Sequence, residues 1–102
     1  MNHSARFTEG ARDDLDRLYD FILERDATDW SLAQRAIEAI GHGIRTLEFS
    51  PFTCRKAAPD SPFLRELVIP FGASGYIALF EIDNDVTVTI LAVRHQREDD
   101  YR

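Results

Sequence analysis

The sequence predicts an α+β domain in which two helices pack as an antiparallel hairpin on one face of an antiparallel sheet. Two observations predict it. Apolar side chains recur at helical spacing through the first half of the chain, and they alternate at strand spacing between turn-like breaks through the second half. A chain of 102 residues with 44% hydrophobic side chains fits one domain with a single core, so we assign residues 1–102 to one unit.

The first half opens with a short strand and a helix. Residues Ala5–Phe7 suit a strand, and Thr8 suits a helix N-cap because its hydroxyl can accept a hydrogen bond from the first turn. The helix is predicted from Glu9 to about Glu24, and its acidic side chains lie on several faces, so we interpret them as a solvated surface. Its apolar stripe follows helical spacing: Leu15, Leu18, Tyr19 and Ile22.

A second helix is predicted from about Asp29 to Glu48, after a short break at residues 25–29. Gly41 and Gly43 interrupt it at a cost of about 1 kcal/mol each relative to alanine, but the periodicity continues past both. We expect these glycines to let the two helices approach closely. Pro51 ends the helical segment. The apolar stripe of this helix comprises Ala33, Ala36, Ile37, Ile40, Ile44 and Leu47.

The second half predicts a loop followed by a three-stranded antiparallel meander. The loop is predicted over Phe52–Pro62, because prolines and turn residues punctuate it. The strands are predicted over Phe63–Phe71, Tyr76–Ile82 and Val86–Arg94, with short reversals between them. Alternation assigns two sets of residues to single faces: Leu67, Ile69 and Phe71 on the first strand, and Val86, Val88, Ile90 and Ala92 on the third.

The net charge of −6 argues against sequence-independent binding to nucleic acid, because phosphate contacts need clustered cations. Twelve cationic side chains are present, and all but Lys56 are arginine. Arginine suits bidentate contact with carboxylates or phosphates. We therefore expect any site for an anion to be local.

The single cysteine, Cys54, gives no internal disulfide and favours a reducing compartment. We interpret it as a small, partly buried side chain in a loop rather than a catalytic thiol. The three histidines lack metal-ligand spacing, and no Gly-rich phosphate loop is present, so no metal or cofactor is expected. No run approaches the ~20 apolar residues of a membrane span, and we expect a cytoplasmic protein without membrane contact.

A set of polar residues near the ends of the predicted strands is the candidate site. Arginines can neutralise a phosphate, and a histidine or tyrosine can move a proton. These are the roles that RNA cleavage by 2′-hydroxyl attack requires, and the meander topology gives the residues a way to converge. The candidates are Arg65, Arg94, His95 and Tyr101, with Arg55 and Lys56 in the preceding loop.

Each of these residues also has an alternative interpretation as a structural residue. Arg65 is followed directly by Glu66 and fits a solvated strand position. Arg94 has acids close by in the C-terminal tail, and a histidine at a strand end is more often structural than catalytic. Tyr101 fits a packing residue with its hydroxyl in water.

Several segments, taken in order, resemble the RelE/ParE toxin superfamily of type II toxin–antitoxin systems. The resemblance covers nearly the whole chain, and its most specific part is the C-terminal one. The segments are Ala11-Arg12-Asp13-Asp14-Leu15, Leu64-Arg65-Glu66-Leu67, Pro70-Phe71-Gly72-Ala73-Ser74-Gly75-Tyr76 and Val93-Arg94-His95-Gln96-Arg97-Glu98-Asp99-Asp100-Tyr101.

The resemblance implies a fold and a partner. The fold is a helical hairpin on a small curved antiparallel sheet in the order β-α-α-β-β-β. The partner is a cognate antitoxin whose C-terminal segment wraps the toxin and folds as it binds. DNA contact in such complexes belongs mainly to the antitoxin, so the resemblance implies no direct sequence-specific DNA binding by this chain.

The superfamily also implies two alternative targets. ParE-like members inhibit DNA gyrase by binding and have no established catalytic residues, whereas RelE-like members cut messenger RNA on the ribosome. A nuclease would use Arg65 and Arg94 on the phosphate and His95 or Tyr101 for proton transfer. The single lysine, the net charge of −6 and the acidic tail favour a ParE-like toxin with a ParD-like antitoxin. The ribosome-dependent endoribonuclease is the alternative, and a degenerate family member that only binds its antitoxin is a third.

Overall fold

Two helices pack against a five-stranded sheet in the computed structural model, which describes residues 3–25, 30–72 and 74–96. The strand order across the sheet is β1-β5-β4-β3-β2. None of the helices in these described ranges is long and apolar enough to cross a membrane. The elements are β1 (Ser4–Phe7), α1 (Glu9–Arg25), α2 (Trp30–Thr46), a 3₁₀ turn (Pro51–Thr53), β2 (Arg55–Ala58), β3 (Ser61–Phe71), β4 (Ser74–Ile82) and β5 (Thr87–His95).

The α+β architecture predicted from the sequence is confirmed, with one change in the sheet. Strands β3, β4 and β5 form the expected antiparallel meander. Strand β1 pairs with β5 in parallel, with Phe7 opposite Ile90, so the sheet is mixed rather than wholly antiparallel. Both helices and strands β2, β3 and β4 lie between β1 and β5 in the chain, and a connection of that length permits parallel pairing.

The predicted loop over Phe52–Pro62 is wrong in part. The structure places a 3₁₀ turn at its start and strand β2 within it, and β3 begins two residues earlier than predicted, at Ser61. Strand β2 pairs with β3 through Arg55 opposite Glu66. Alanines and charged residues have low strand propensity, so this strand depends on its cross-strand partners. The sequence therefore contains no local pattern that predicts it.

The helices begin and end close to the predicted positions. The Thr8 hydroxyl accepts a hydrogen bond from the Ala11 N–H at 3.0 Å, which confirms Thr8 as the N-cap of α1. Helix α2 ends at Thr46, two residues before the predicted end, and a turn follows. Of the predicted break at residues 25–29, Arg25 belongs to α1, and residues 26–29 lie outside the described residues.

The core lies between the helices and one face of the sheet. Its largest fully buried side chains come from both layers: Phe80, Ile40, Leu47, Ile90, Val88 and Val93. Leu67, Ile69 and Phe71 pack on this side, as the alternation of β3 predicts. Burying these apolar surfaces is the main favourable contribution to folding.

Strand β5 contains a bulge that changes which side chains face the helices. Leu79 of β4 pairs with Ala92 and its neighbour Phe80 pairs with Ile90, so Leu91 is an extra residue on β5. Beyond the bulge Val93 joins the core, whereas Ala92 is buried outside the core cluster. The predicted face is therefore correct for Val88 and Ile90 and wrong for Ala92, and Val86 precedes the strand with 49% of its surface exposed.

The glycines of α2 serve a different contact from the one expected. A Cβ at Gly43 would lie 2.8 Å from Ile69 Cγ1, so this glycine lets α2 approach β3 rather than α1. A Cβ at Gly41 would meet no atom within 4 Å. The close approach of α2 to β3 therefore depends on Gly43 and not on Gly41.

This difference predicts opposite effects of the same substitution at the two positions. Gly43→Ala should destabilise the fold by roughly 1–3 kcal/mol because the new methyl overpacks Ile69. Gly41→Ala should stabilise it by about 0.5–1 kcal/mol through helix propensity. Urea unfolding of both variants checks this, and a destabilising Gly41→Ala or a neutral Gly43→Ala would contradict the packing described.

Candidate functional site

The end of β5 carries two of the candidate residues, Arg94 and His95, on opposite faces of the sheet. His95 pairs with Tyr76, a core residue, and Arg94 pairs with Ile77, which lies outside the core cluster. Because directly paired residues share a face, His95 lies on the helix side and Arg94 on the outer side. Both side chains are half-buried.

His95 is packed against an aromatic pair on the helix side. Its ring meets the Tyr76 ring edge-to-face, with centroids 5.5 Å apart and an interplanar angle of 88°. Phe71 lies on the other side of Tyr76 at 6.1 Å. Burial raises the pKa of the Tyr76 hydroxyl, so this hydroxyl stays protonated at neutral pH. Arg94 Nη1 donates to the His95 carbonyl oxygen at 3.3 Å.

Helix α1 holds β5 just before these residues. The Val93 N–H donates to Asp14 Oδ2 at 2.9 Å, and the Thr8 hydroxyl donates to the Leu91 carbonyl at 3.3 Å. Strand β1 ends opposite Ile90, so these two side chains bond to β5 where β1 no longer does. Both bonds fall at or next to the bulge, just before Arg94 and His95.

Asp14 therefore has a role that the sequence did not indicate. The acids of α1 were interpreted as a solvated surface, but the Asp14 side chain is only 13% exposed. Arg17 contacts its other oxygen, with Nη2 3.8 Å from Oδ1. The neighbouring Asp13 is exposed, as expected. Two consecutive aspartates give no local signal that separates a buried acceptor from a surface charge.

Arg65 is held in place by backbone carbonyl groups. Its Nε donates to the Pro62 carbonyl at 2.7 Å, and its Nη1 donates to the carbonyls of Phe52 at 3.2 Å and Cys54 at 2.8 Å. The guanidinium carbon also lies 5.4 Å from the centroid of the Phe52 ring. These contacts attach the 3₁₀ turn and the start of β2 to β3.

Arg65 does not converge with Arg94. The two arginines pair with Phe80 and Ile77 of β4, three residues apart, which is about 10 Å along a strand. An odd spacing also places them on opposite faces of the sheet. Arg94 and His95 are thus neighbours in the chain but lie on opposite faces, and Arg65 lies apart from Arg94. Tyr101 lies outside the described residues.

The remaining candidates lie on the edge strand β2. Lys56 is exposed and pairs with Arg65 across the strands. Arg55 Nε donates to Glu66 Oε1 at 3.1 Å, and the arginine side chain is 56% exposed. Over residues 3–25, 30–72 and 74–96, no group of three or more histidine, cysteine or acidic side chains is arranged to hold a metal ion.

Cys54 is a partly buried thiol beside Arg65. This burial agrees with its interpretation as a structural residue. Burial raises the pKa of the thiol above its usual 9.0, and the Arg65 charge opposes this by a smaller amount. The group therefore stays neutral at physiological pH, which disfavours nucleophilic chemistry.

An open sheet with two helices on one face is a fold shared with solved toxin–antitoxin structures. "Chromosomal ParDE TA system from P. aeruginosa" has a TM-score of 0.71 at 20% identity, covering 91% of this chain and 95% of that one. The complex RelBE2 from Mycobacterium tuberculosis has a TM-score of 0.60 at 23% identity, covering 94% and 100%. At these identities the likeness establishes the fold.

The family itself is established by sequence. Residues 5–100 match the ParE toxin of the type II toxin–antitoxin system parDE, and the chain belongs to this family. It is thus a toxin of the ParE/RelE superfamily, as the segments quoted above indicate. Comparison with curated protein sequences gives no significant match.

The neighbouring aspartates of α1 provide a matched test of the attachment to β5. Asp14→Ala should destabilise the protein by about 1–3 kcal/mol, because the buried Val93 N–H loses its acceptor. Asp13→Ala should change stability by less than about 0.5 kcal/mol. Urea unfolding measures both, and equal effects of the two substitutions would show that α1 does not hold β5 in this way.

The raised pKa of Cys54 predicts a loss of stability at alkaline pH. Above about pH 9 the thiol of the unfolded chain ionises while the folded one stays protonated, so the folded state binds more protons and its stability falls as pH rises. Tyr76 adds to this above its usual pKa of 10.0. The urea midpoint of unfolding should change less between about pH 8 and pH 10 in Cys54→Ala than in the unsubstituted protein. Equal changes in the two proteins would contradict a raised pKa of Cys54.

Proposed function

We propose that this toxin inhibits DNA gyrase through direct protein–protein contact and is neutralised by a ParD-like antitoxin. The observation that carries the proposal is the placement of the arginines. Arg65 is bonded to three carbonyl groups and lies on the face opposite Arg94. A phosphate-cleaving site needs its cations and proton carriers around one phosphate, and this arrangement favours a binding surface instead.

The charge of the chain supports the same target. A toxin that enters the ribosome approaches a dense array of phosphates, and association with RNA is slowed and weakened by a net charge of −6. Contact with another protein carries no such requirement. The polar residues Arg94 and His95 then serve as structural or contact residues rather than catalytic ones.

The antitoxin partner is supported by family and by fold. The chain matches the ParE toxin of the parDE system, and the two solved structures of similar fold are described as a ParDE system and a RelBE2 toxin–antitoxin complex. An antitoxin segment that folds on binding can cover a large toxin surface. We extend this mode to the present chain and expect a cytoplasmic complex.

A ribosome-dependent endoribonuclease is the alternative, and one observation favours it. Arg94 and His95 are consecutive, half-buried residues at the end of β5, so a cation and a proton carrier share this end of the sheet, although on opposite faces. In that mechanism His95 or Tyr101 moves the proton, and Arg65 must reach the same phosphate as Arg94. The separation of the two arginines is the reason that we prefer gyrase.

Gyrase supercoiling of relaxed plasmid tests the proposal directly. The protein freed of antitoxin should abolish supercoiling and cause cleaved DNA to accumulate, and adding the antitoxin back should restore supercoiling. His95→Gln is a suitable control, since it removes the proposed proton carrier of the nuclease, and it should retain inhibition within about threefold if the residue is a contact or structural residue. Unaffected gyrase would contradict the proposal.

A further inference from the structure

The solvent side of helix α1 carries a row of acidic side chains beside an exposed aromatic ring. The helix buries Ala11 and Leu18 in the core, and six of its exposed residues line one open depression. Together these six carry four carboxylates and one guanidinium, a net charge of −3. We call this surface the acidic face of α1, and its residues are Asp13, Asp16, Arg17, Asp20, Phe21 and Glu24.

The concentration of negative charge distinguishes α1 from α2. Each helix contains 17 residues. Helix α1 holds six acids and three arginines, a net charge of −3, whereas α2 holds one acid and two arginines, a net charge of +1. Helix α1 therefore carries half of the net charge of −6 that the whole chain has.

The spacing of these acids works against the helix itself. Asp16 precedes Asp20 by four residues, and Asp20 precedes Glu24 by four; like charges at this spacing destabilise a helix. Glu24 also lies in the last turn of α1, where the helix dipole favours a cation. Helix stability does not explain such a row, and departures of this kind from local rules are expected at functional surfaces.

Phe21 adds an apolar contact to the acidic face. Its side chain is 50% exposed, and it follows Arg17 and precedes Glu24 by about one helical turn. Aromatic rings that become buried on association supply much of the energy of an interface, while the charges around them select the partner. The acidic face of α1 therefore combines an apolar anchor with a strong charge preference for a cationic partner.

The row of carboxylates has a charge pattern that a DNA-binding enzyme can recognise. From Asp13 to Glu24 the four charges extend over about 16 Å of helix axis, or one charge every ~5–6 Å. One strand of duplex DNA carries a phosphate every ~3.4 Å along its axis. A protein that holds duplex DNA must present clustered cations to these phosphates, and the same cations attract a row of carboxylates on a rigid helix.

We propose that the acidic face of α1 docks on a cationic surface with which DNA gyrase otherwise holds duplex DNA, and that Phe21 is buried at this contact. The inference rests on the proposed function, because it takes gyrase as the target, and it names the part of the toxin that makes the contact. The negative charge that weakens approach to RNA then strengthens approach to the enzyme surface that binds DNA.

Other occupants of the acidic face fit less well. A second copy of the chain would oppose two surfaces of the same negative charge, which repel each other. Within the part of the chain that the structure describes, no group of three or more histidine, cysteine or acidic side chains is arranged to hold a metal ion. An antitoxin need not carry clustered cations, whereas an enzyme that holds DNA must.

The test compares gyrase binding and gyrase inhibition by charge variants of the purified full chain, freed of antitoxin. Binding is measured without DNA, and supercoiling of relaxed plasmid is measured in parallel. An acid-neutral variant should bind gyrase at least about thirtyfold more weakly and lose inhibition to a similar extent. Raised salt and added duplex DNA should both weaken binding of the unsubstituted toxin. The acid-neutral variant combines Asp13→Asn, Asp16→Asn, Asp20→Asn and Glu24→Gln.

A control variant makes the same change in net charge at exposed acids elsewhere in the chain. It should alter binding by less than about threefold, since only the overall charge changes. The acid-neutral variant should unfold at the same or a higher urea concentration than the unsubstituted toxin, because like-charge neighbours are removed from the helix. Phe21→Ser should weaken gyrase binding about tenfold. The control combines Glu38→Gln, Asp60→Asn, Glu81→Gln and Asp85→Asn.

The outcomes separate this inference from the proposed function. If the unsubstituted toxin inhibits gyrase and the acid-neutral variant inhibits it equally, or the control loses as much, the acidic face is not the contact, although gyrase stays the target. Gyrase that the unsubstituted toxin leaves unaffected would overturn both. A matching loss of affinity for the antitoxin in the acid-neutral variant would make the antitoxin the occupant and overturn the inference. Should Phe21→Ser unfold, the acid-neutral variant decides.

Discussion

Helix α1 is attached to strand β5 by two side-chain hydrogen bonds just before the candidate site. Strand β1 supports β5 only as far as Ile90, and from there the Thr8 hydroxyl and the Asp14 carboxylate bond to its backbone instead. The bulge at Leu91 lies within this stretch, brings Val93 into the core and sends Arg94 to the outer face. One N-cap threonine and one helical aspartate thus bond to β5 beside the bulge that sets the faces of the polar residues at its end.

That constraint changes how the polar residues are interpreted. In the sequence, Arg65, Arg94 and His95 stand at strand positions from which they could have met, and their chemistry suits phosphate cleavage. In the structure, Arg65 fastens the 3₁₀ turn and β2 to β3, while His95 packs on Tyr76. Arginine forms several directed hydrogen bonds at once, so it serves as a structural clamp as readily as an anion site. The proposed contact with gyrase accommodates both roles.

Much of the fold followed from local pattern, and the parts that did not have a physical reason. Both helices and the three long strands were predicted, because their periodicity reflects burial on one side. Strand β2 was missed, because Arg-Lys-Ala-Ala is held by cross-strand partners rather than by propensity. The bulge was missed, because one extra residue leaves no mark on composition. Asp14 was missed with it, since its acceptor role exists only once α1 lies against β5.

Messenger RNA integrity on translating ribosomes distinguishes the proposed action by contact from catalysis. The purified protein, freed of antitoxin, is added to a reconstituted translation reaction at an amount far below that of the ribosomes, and the transcripts are mapped at nucleotide resolution. We expect transcripts of unchanged length. Cleavage within codons at that low amount, lost in His95→Gln and Arg94→Gln variants that keep their fold, would contradict it.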